Sequence, residues 1–310
     1  MSSRAIYASD AATGWRPWGA LVPILGVVLV AVPTEGMSVL LDHLGLLEDA
    51  GPIGLAGFVA FLLLPFGALA LVIVAWVRLV ERRSLATIGL TGAAPVRTFL
   101  RGHATGLAMA GATIAGIWIA GSASAGGYLR ALHAPASLPG IAILLVCFAV
   151  QSSVEELVLR GWMLSAIAAK RSIATAVVLT SLAFTFLHFN LHQPWLFTVN
   201  VFGFSVFTCI WALDTGNVWG VMGWHAGWNW LLATGFELRV TGFDAHLPAL
   251  LVKLTPSGPE FLTGGEMGPE GSLFCSVVLA GAIVLVVARR ARRRARAGAP
   301  SRQLAAQPGY

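Results

Sequence analysis

The stretch from Leu138 to Ala169 reads LPGIAILLVCFAVQSSVEELVLRGWMLSAIAA, and nearly all of it suits a lipid bilayer. Near its centre stand Glu155, Glu156 and Arg160. A charged side chain at mid-bilayer costs at least ~2.5–3.5 kcal/mol on insertion scales, so an ionisable group kept there signals a function or a partner. Two more polar clusters follow in apolar surroundings, His188 with His192 and His225 with Asn229. Together the three clusters imply chemistry carried out inside a membrane.

Working outward, the chain is 57% hydrophobic and only 11% charged. A soluble domain carries about 25% charged residues. The expected fold class is therefore all-α, a polytopic transmembrane helical bundle. A span needs ~20 mainly apolar residues. Eight candidates stand at about 18–41, 53–80, 99–121, 138–168, 172–192, 195–213, 217–235 and 272–290. The first run follows Arg4 and Arg16, and no small-x-small cleavage site precedes Pro33-Thr34-Glu35, so it reads as an uncleaved span. Residues 1–297 form one integral membrane domain on this reading, with a catalytic core at about 138–235 and a disordered tail over 298–310. Gly102, Gly106, Gly111, Gly116 and Gly121 dot the third span, a pattern that lets helices pack closely in lipid.

The net charge of +6 does not point to nucleic acid. The basic residues flank apolar runs and gather as Arg289, Arg290, Arg292, Arg293, Arg294 and Arg296, which suits anionic membrane lipid as the partner. With the N-terminus in the cytoplasm, sixteen of the twenty Lys and Arg fall on the inner side, so both termini are expected there. The expected location is a bacterial plasma membrane. Cys147, Cys209 and Cys275 lie in apolar stretches without a C-x-x-C pair and read as small buried hydrophobes.

Glu156 and Arg160 are four residues apart, so on a helix their side chains can meet. Glu155 is turned about 100° away and is free to face a cavity. A carboxylate in such a cavity can act as a general base near neutral pH. Glu155 precedes the Lys170-Arg171 turn by fifteen residues and His188 follows it by seventeen. In an antiparallel hairpin both then lie ~23–26 Å along their helices, at similar depth. A Glu155–His188 dyad sharing a water follows naturally. His225 and Asn229 share a helical face and can donate hydrogen bonds to an oxyanion. Measured from the Asp214–Asn217 turn, however, His225 is only ~12–15 Å deep, a mismatch with the other two clusters. His188 and His192 also have metal-ligand spacing and could complete a zinc site with Glu155 or His225. Phe189 follows His188, so the motif is not H-E-x-x-H, and His192 beside Gln193-Pro194 suits the membrane interface. No cofactor is expected, zinc being the minority alternative.

These elements in this order resemble the CPBP family of intramembrane endopeptidases, the CAAX prenyl protease and bacteriocin-processing group. The family pattern is E-E-x-x-x-R, F-x-x-x-H and H-x-x-x-N. It appears as Glu155-Glu156-Leu157-Val158-Leu159-Arg160, Phe184-Thr185-Phe186-Leu187-His188 and His225-Ala226-Gly227-Trp228-Asn229. The resemblance covers about residues 140–235, each motif on its own span. It implies that Glu155, assisted by His188, activates the attacking water without a metal. It further implies that His225 and Asn229 stabilise the oxyanion while Glu156 and Arg160 support them. The implied substrate is a peptide or protein, prenylated in the CAAX-processing members of the family. Two rivals stand beside this reading. One is a non-catalytic membrane scaffold or bacteriocin-immunity protein. The other is a proton-coupled transporter, which also uses intramembrane Glu and His but carries paired half-chain repeats that this sequence does not display.

Overall fold

A computed structural model describes residues 6–8, 13–48, 51–52 and 54–297, and the tail expected over 298–310 lies outside the described residues. The apolar runs of the sequence form eight long helical segments. They are α1 (Val22–His43), α2 (Gly54–Ala75), α3 (Pro95–Ile119), α4 (Leu138–Glu156), α5 (Ile173–Leu187), α6 (Trp195–Thr215), α7 (Trp219–Gly235) and α8 (Leu273–Ala297). α2 runs on through a π-helical segment, Trp76–Val80, and α4 through Leu157–Met163 (π-helical) and Leu164–Ala168. The result is a helical membrane bundle. Among the described residues five helices, α1, α2, α4, α6 and α8, are long and apolar enough to cross a membrane. α5 and α7 are shorter, and α3 carries Arg97 and Arg101 in its first turns.

α5 stops at Leu187, short of the expected 192, because polar turn chemistry takes over. The Asn190 amide N–H donates to Gln193 Oε1 at 3.0 Å and the His192 N–H to Asn190 Oδ1 at 2.9 Å. Side chains that bond nearby backbone in this way compete with helix continuation. A small antiparallel ladder adds to the all-α expectation. β1 (Leu47–Glu48) pairs with β2 (Gly51–Pro52), and β3 (Ala123–Tyr128) with β4 (Val252–Pro256), Ala123 opposite Pro256.

The connections sort onto two ends. At one end the segment before α1 lies against the end of α2, with Trp15 N–H on Val80 O at 3.1 Å. Val218 N–H, just before α7, donates to Gly89 O at 3.1 Å there. Asp214 meets Arg289 at 3.5 Å and Arg293 at 3.2 Å. The opposite end holds the β3–β4 ladder, the α5–α6 turn and the 236–272 connection, which Arg130 ties in by an ion pair to Glu237 at 2.7 Å.

The closest helix crossing is α3 on α7, and glycine makes it possible on both sides. A methyl at Gly102 would overlap Gly220 O, and one at Gly106 would overlap Trp224 O. Reciprocally, Gly223 lies against Phe99 O and Gly227 against His103 O. Small residues four apart on facing helices permit this approach in lipid. Gly116 packs on Phe274, whereas Gly111 has nothing within 4 Å and so falls outside the packing face expected for it. The crossing fixes the rotation of α7 and with it His225 and Asn229.

Candidate active site

Glu155 and Glu156 end the regular part of α4, and their environments differ. Glu156 is fully buried; its Oε1 accepts from Arg160 Nη1 at 3.1 Å and from His225 Nδ1 at 3.0 Å. Glu155 lines a cavity of about 360 Å³ together with Gln151, His188 and Asn229. Its Oε1 accepts from Gln151 Nε2 at 2.7 Å. Its Oε2 is 4.0 Å from His225 Nε2 and has no hydrogen-bond partner among the described residues. The 100° rotation between neighbours on a helix thus separates a carboxylate tied to Arg160 and His225 from one that lines a cavity.

The π-helical segment Leu157–Met163 contains Arg160, and its end is marked by Leu164 N–H bonding to Leu159 O, five residues back. Return from five-residue to four-residue bonding leaves one carbonyl without its amide, and such segments recur at functional sites. Within this segment the Arg160 carbonyl accepts from the Tyr7 hydroxyl at 2.6 Å. Burial raises the Tyr7 pKa well above its ordinary value, so the hydroxyl stays a donor. The Arg160 guanidinium lies 4.4 Å from the centre of the Phe184 ring. A desolvated contact of this kind contributes up to about 2 kcal/mol.

Phe184 also reaches the second cluster. Its carbonyl is 2.9 Å from His188 Nδ1 and its ring centre 4.3 Å from the imidazole. A carbonyl only accepts, so Nδ1 donates, and in the neutral form of the ring Nε2 then carries the lone pair. His188 and Glu155 line the same two cavities. The second cavity, of about 240 Å³, lies between α1, α2, α4 and α5 and includes Thr34, Phe66, Val158 and Leu187. His192 is exposed in the turn beyond α5. No group of three or more His, Cys, Asp or Glu arranged for a metal occurs among the described residues.

The depth mismatch at His225 has a physical resolution. α7 begins only six residues before His225, ~9 Å of helix, whereas α4 runs thirteen residues past Glu155, ~20 Å. The segment around Leu85–Ile88 occupies the difference. Gly89 and Thr91 carbonyls accept from Val218 N–H and from Trp219 Nε1 at 3.1 and 3.0 Å, so α7 starts inside the bundle rather than at its surface. His225 therefore meets both glutamates.

Two participants escaped the motif reading. Gln151 joins the helices: while its amide nitrogen serves Glu155, its Oε1 accepts from Asn229 Nδ2 at 3.2 Å and from the Ser152 hydroxyl at 3.0 Å. Its position four residues before Glu155 was the available signal. Glu270 holds the rim. It accepts from Trp228 Nε1 at 3.1 Å and from Thr241 N–H and Oγ1 at 2.6 and 3.0 Å, fastening a cavity-lining segment to α7. Its local signal was the stretch Gly268-Pro269-Glu270-Gly271 before the last span, a weaker similarity to the CPBP family that assigned the carboxylate no role.

The arrangement pairs an unshared carboxylate oxygen and an imidazole lone pair with an amide donor on one cavity wall, a set suited to hydrolysis. No curated protein and no solved structure matches the chain significantly. A family model, type II CAAX prenyl endopeptidase Rce1-like, matches residues 136–231 and supports a protease-type hydrolase. That span carries all three motifs, and over it this integral membrane protein is similar to the Rce1-like CAAX endopeptidases, the family that its glutamate, histidine and asparagine pattern resembles.

Proposed function

We propose that this protein is an intramembrane endopeptidase in which Glu155 activates water. The observation that carries the reading is the state of the two Glu155 oxygens. One is tied by Gln151, and the other is unshared beside a cavity that His188 and Asn229 also line. Glu155 Oε2 takes a proton from water, with the His188 Nε2 lone pair orienting that water or sharing its proton. The oxygen attacks the scissile carbonyl carbon. The resulting oxyanion accepts a hydrogen bond from the second Asn229 N–H, Gln151 holding the first. His225, held by Glu156, offers a second donor from Nε2 when protonated. Collapse breaks the C–N bond, the amine leaves with the proton from Glu155, and the carboxylic acid formed passes its remaining water proton to the amine, giving a carboxylate and an ammonium group.

The step needs no metal. Phe58, Phe61, Phe66, Phe148 and Phe243 wall the cavity and suit an apolar group of the substrate, side chain or prenyl chain. Its proposed setting is a bacterial plasma membrane with lipid as the surrounding partner, and the position of the basic segments supports both termini in the cytoplasm. Comparative terminal-peptide proteomics of membranes carrying the wild-type chain or Glu155→Ala tests the reading. New termini that vanish in the variant are expected. Identical termini from both proteins refute it.

A further inference from the structure

We infer that the active cavity opens on the non-cytoplasmic face of the membrane and that its substrate is a polypeptide presented from that side. The second half of this inference rests on the hydrolytic reading above; the first half does not. Three observations carry it, from charge, from sealing and from the rim.

Lys and Arg gather at one end of the bundle, in the segments 78–101, 170–171 and 289–296. The opposite end has Arg130, Arg239 and Lys253, and two of these are occupied with Glu237. Connections flanking spans hold an excess of Lys and Arg on the cytoplasmic side, and this bias sets orientation over loops of this length. The basic end is therefore the inner one.

That end is closed beneath the site. Ile88 is completely buried, and its carbonyl lies where a methyl on Gly161 would collide. Trp162, also completely buried, donates from Nε1 to Glu81 Oε1 at 2.7 Å. Tyr7 fills the space under Arg160. A peptide arriving from the cytoplasm would have to displace all of this packing.

The rim of the larger cavity belongs to the other end. Asn190 and Gln193 come from the α5–α6 turn, and Val240, Thr241, Phe243 and Met267 from the connection between α7 and α8. These connections alternate with the basic ones along the chain, so an antiparallel bundle puts them on the outer face. The inference separates this protein from an enzyme that takes its substrate from the cytosol.

Two single-cysteine variants test the orientation, in a background where the buried Cys147, Cys209 and Cys275 are replaced by alanine. Leu191→Cys reports on the rim end and Ala93→Cys on the basic end, and both positions are exposed. Intact cells are treated with a membrane-impermeant sulfonated maleimide. Leu191→Cys should be labelled directly and Ala93→Cys only after permeabilisation; the reverse pattern overturns the inference. In parallel, a randomised pool of quenched fluorogenic peptides is added to right-side-out and inside-out vesicles holding wild-type protein or Glu155→Gln. Cleavage in right-side-out vesicles that is lost in the variant is expected. Glu155-dependent cleavage confined to inside-out vesicles overturns the substrate assignment. Outside labelling of Leu191→Cys without Glu155-dependent cleavage from either face supports the orientation and overturns the hydrolytic reading.

Discussion

Two buried carboxylate–guanidinium pairs lie at different depths of this bundle, built from the same residue types and finished differently. At the basic end, Glu81 Oε1 accepts from Trp76 Nε1 at 2.9 Å and Trp162 Nε1 at 2.7 Å, while Oε2 pairs with Arg83. Arg83 goes on to Thr87 Oγ1 at 3.1 Å. Burial lowers the Arg83 pKa and the adjacent Glu81 opposes that shift. At mid-bundle, Glu156 and Arg160 also pair, yet Glu155 Oε2, Glu156 Oε2, Arg160 Nε and Arg160 Nη2 lack partners among the described residues. An unpaired buried polar group is costly, and its persistence in a folded protein calls for an explanation. Saturation marks the first pair as a structural fastener. Unfilled valence in the second, beside a cavity, supports the reaction proposed there.

That contrast can be broken most forcefully at Glu155. Glu155→Gln keeps shape and removes the base; peptide cleavage should fall by at least about 10²–10⁴-fold with unchanged helical content by circular dichroism. Glu81→Gln strikes the other pair. It leaves Arg83 buried against a neutral partner and should lower stability by about 3–5 kcal/mol, read as a lower melting temperature in detergent. Turnover per folded molecule should stay near wild type. A loss of turnover at unchanged stability would erase the distinction between the pairs.

Asn229→Ala should reduce kcat by about 10²–10³-fold with little change in KM, the signature of a donor used in the transition state. Gln151→Leu sharpens the comparison further. It removes the hydrogen bond to the Glu155 carboxylate, worth about 1.5–3 kcal/mol, together with the acceptor of Asn229 and Ser152, so kcat should fall at least about tenfold to hundredfold. Gln151→Asn, one methylene short, should not restore it.

Much of the fold was open to reading because lipid imposes a simple rule: a spanning segment must be long and apolar. The run 138–168 appears as one continuous helical stretch, and the i, i+4 relation of Glu156 and Arg160 became a 3.1 Å ion pair. Local periodicity specifies such neighbours. Contacts between distant segments were another matter. That Gln151 would bridge Glu155 to Asn229 depends on the rotation of α7, which the paired glycines Gly102, Gly106, Gly223 and Gly227 set jointly with α3. The depth of His225 depends on the inserted segment under α7, which helix-by-helix counting treats as an outside loop. Arg83 read as a topology charge and proved to be interior, because its partner Glu81 is brought under Trp162 only by folding.

The Tyr7 hydroxyl and the Arg160 carbonyl it caps are 153 positions apart. Ribosomes release a chain from its amino end at about 5–20 residues per second, so Tyr7 waits about 8–30 s before its acceptor has been synthesised. His225 and Asn229 are translated later still. A nascent copy therefore lacks the partner of its amino-terminal segment until about half of the chain has been made.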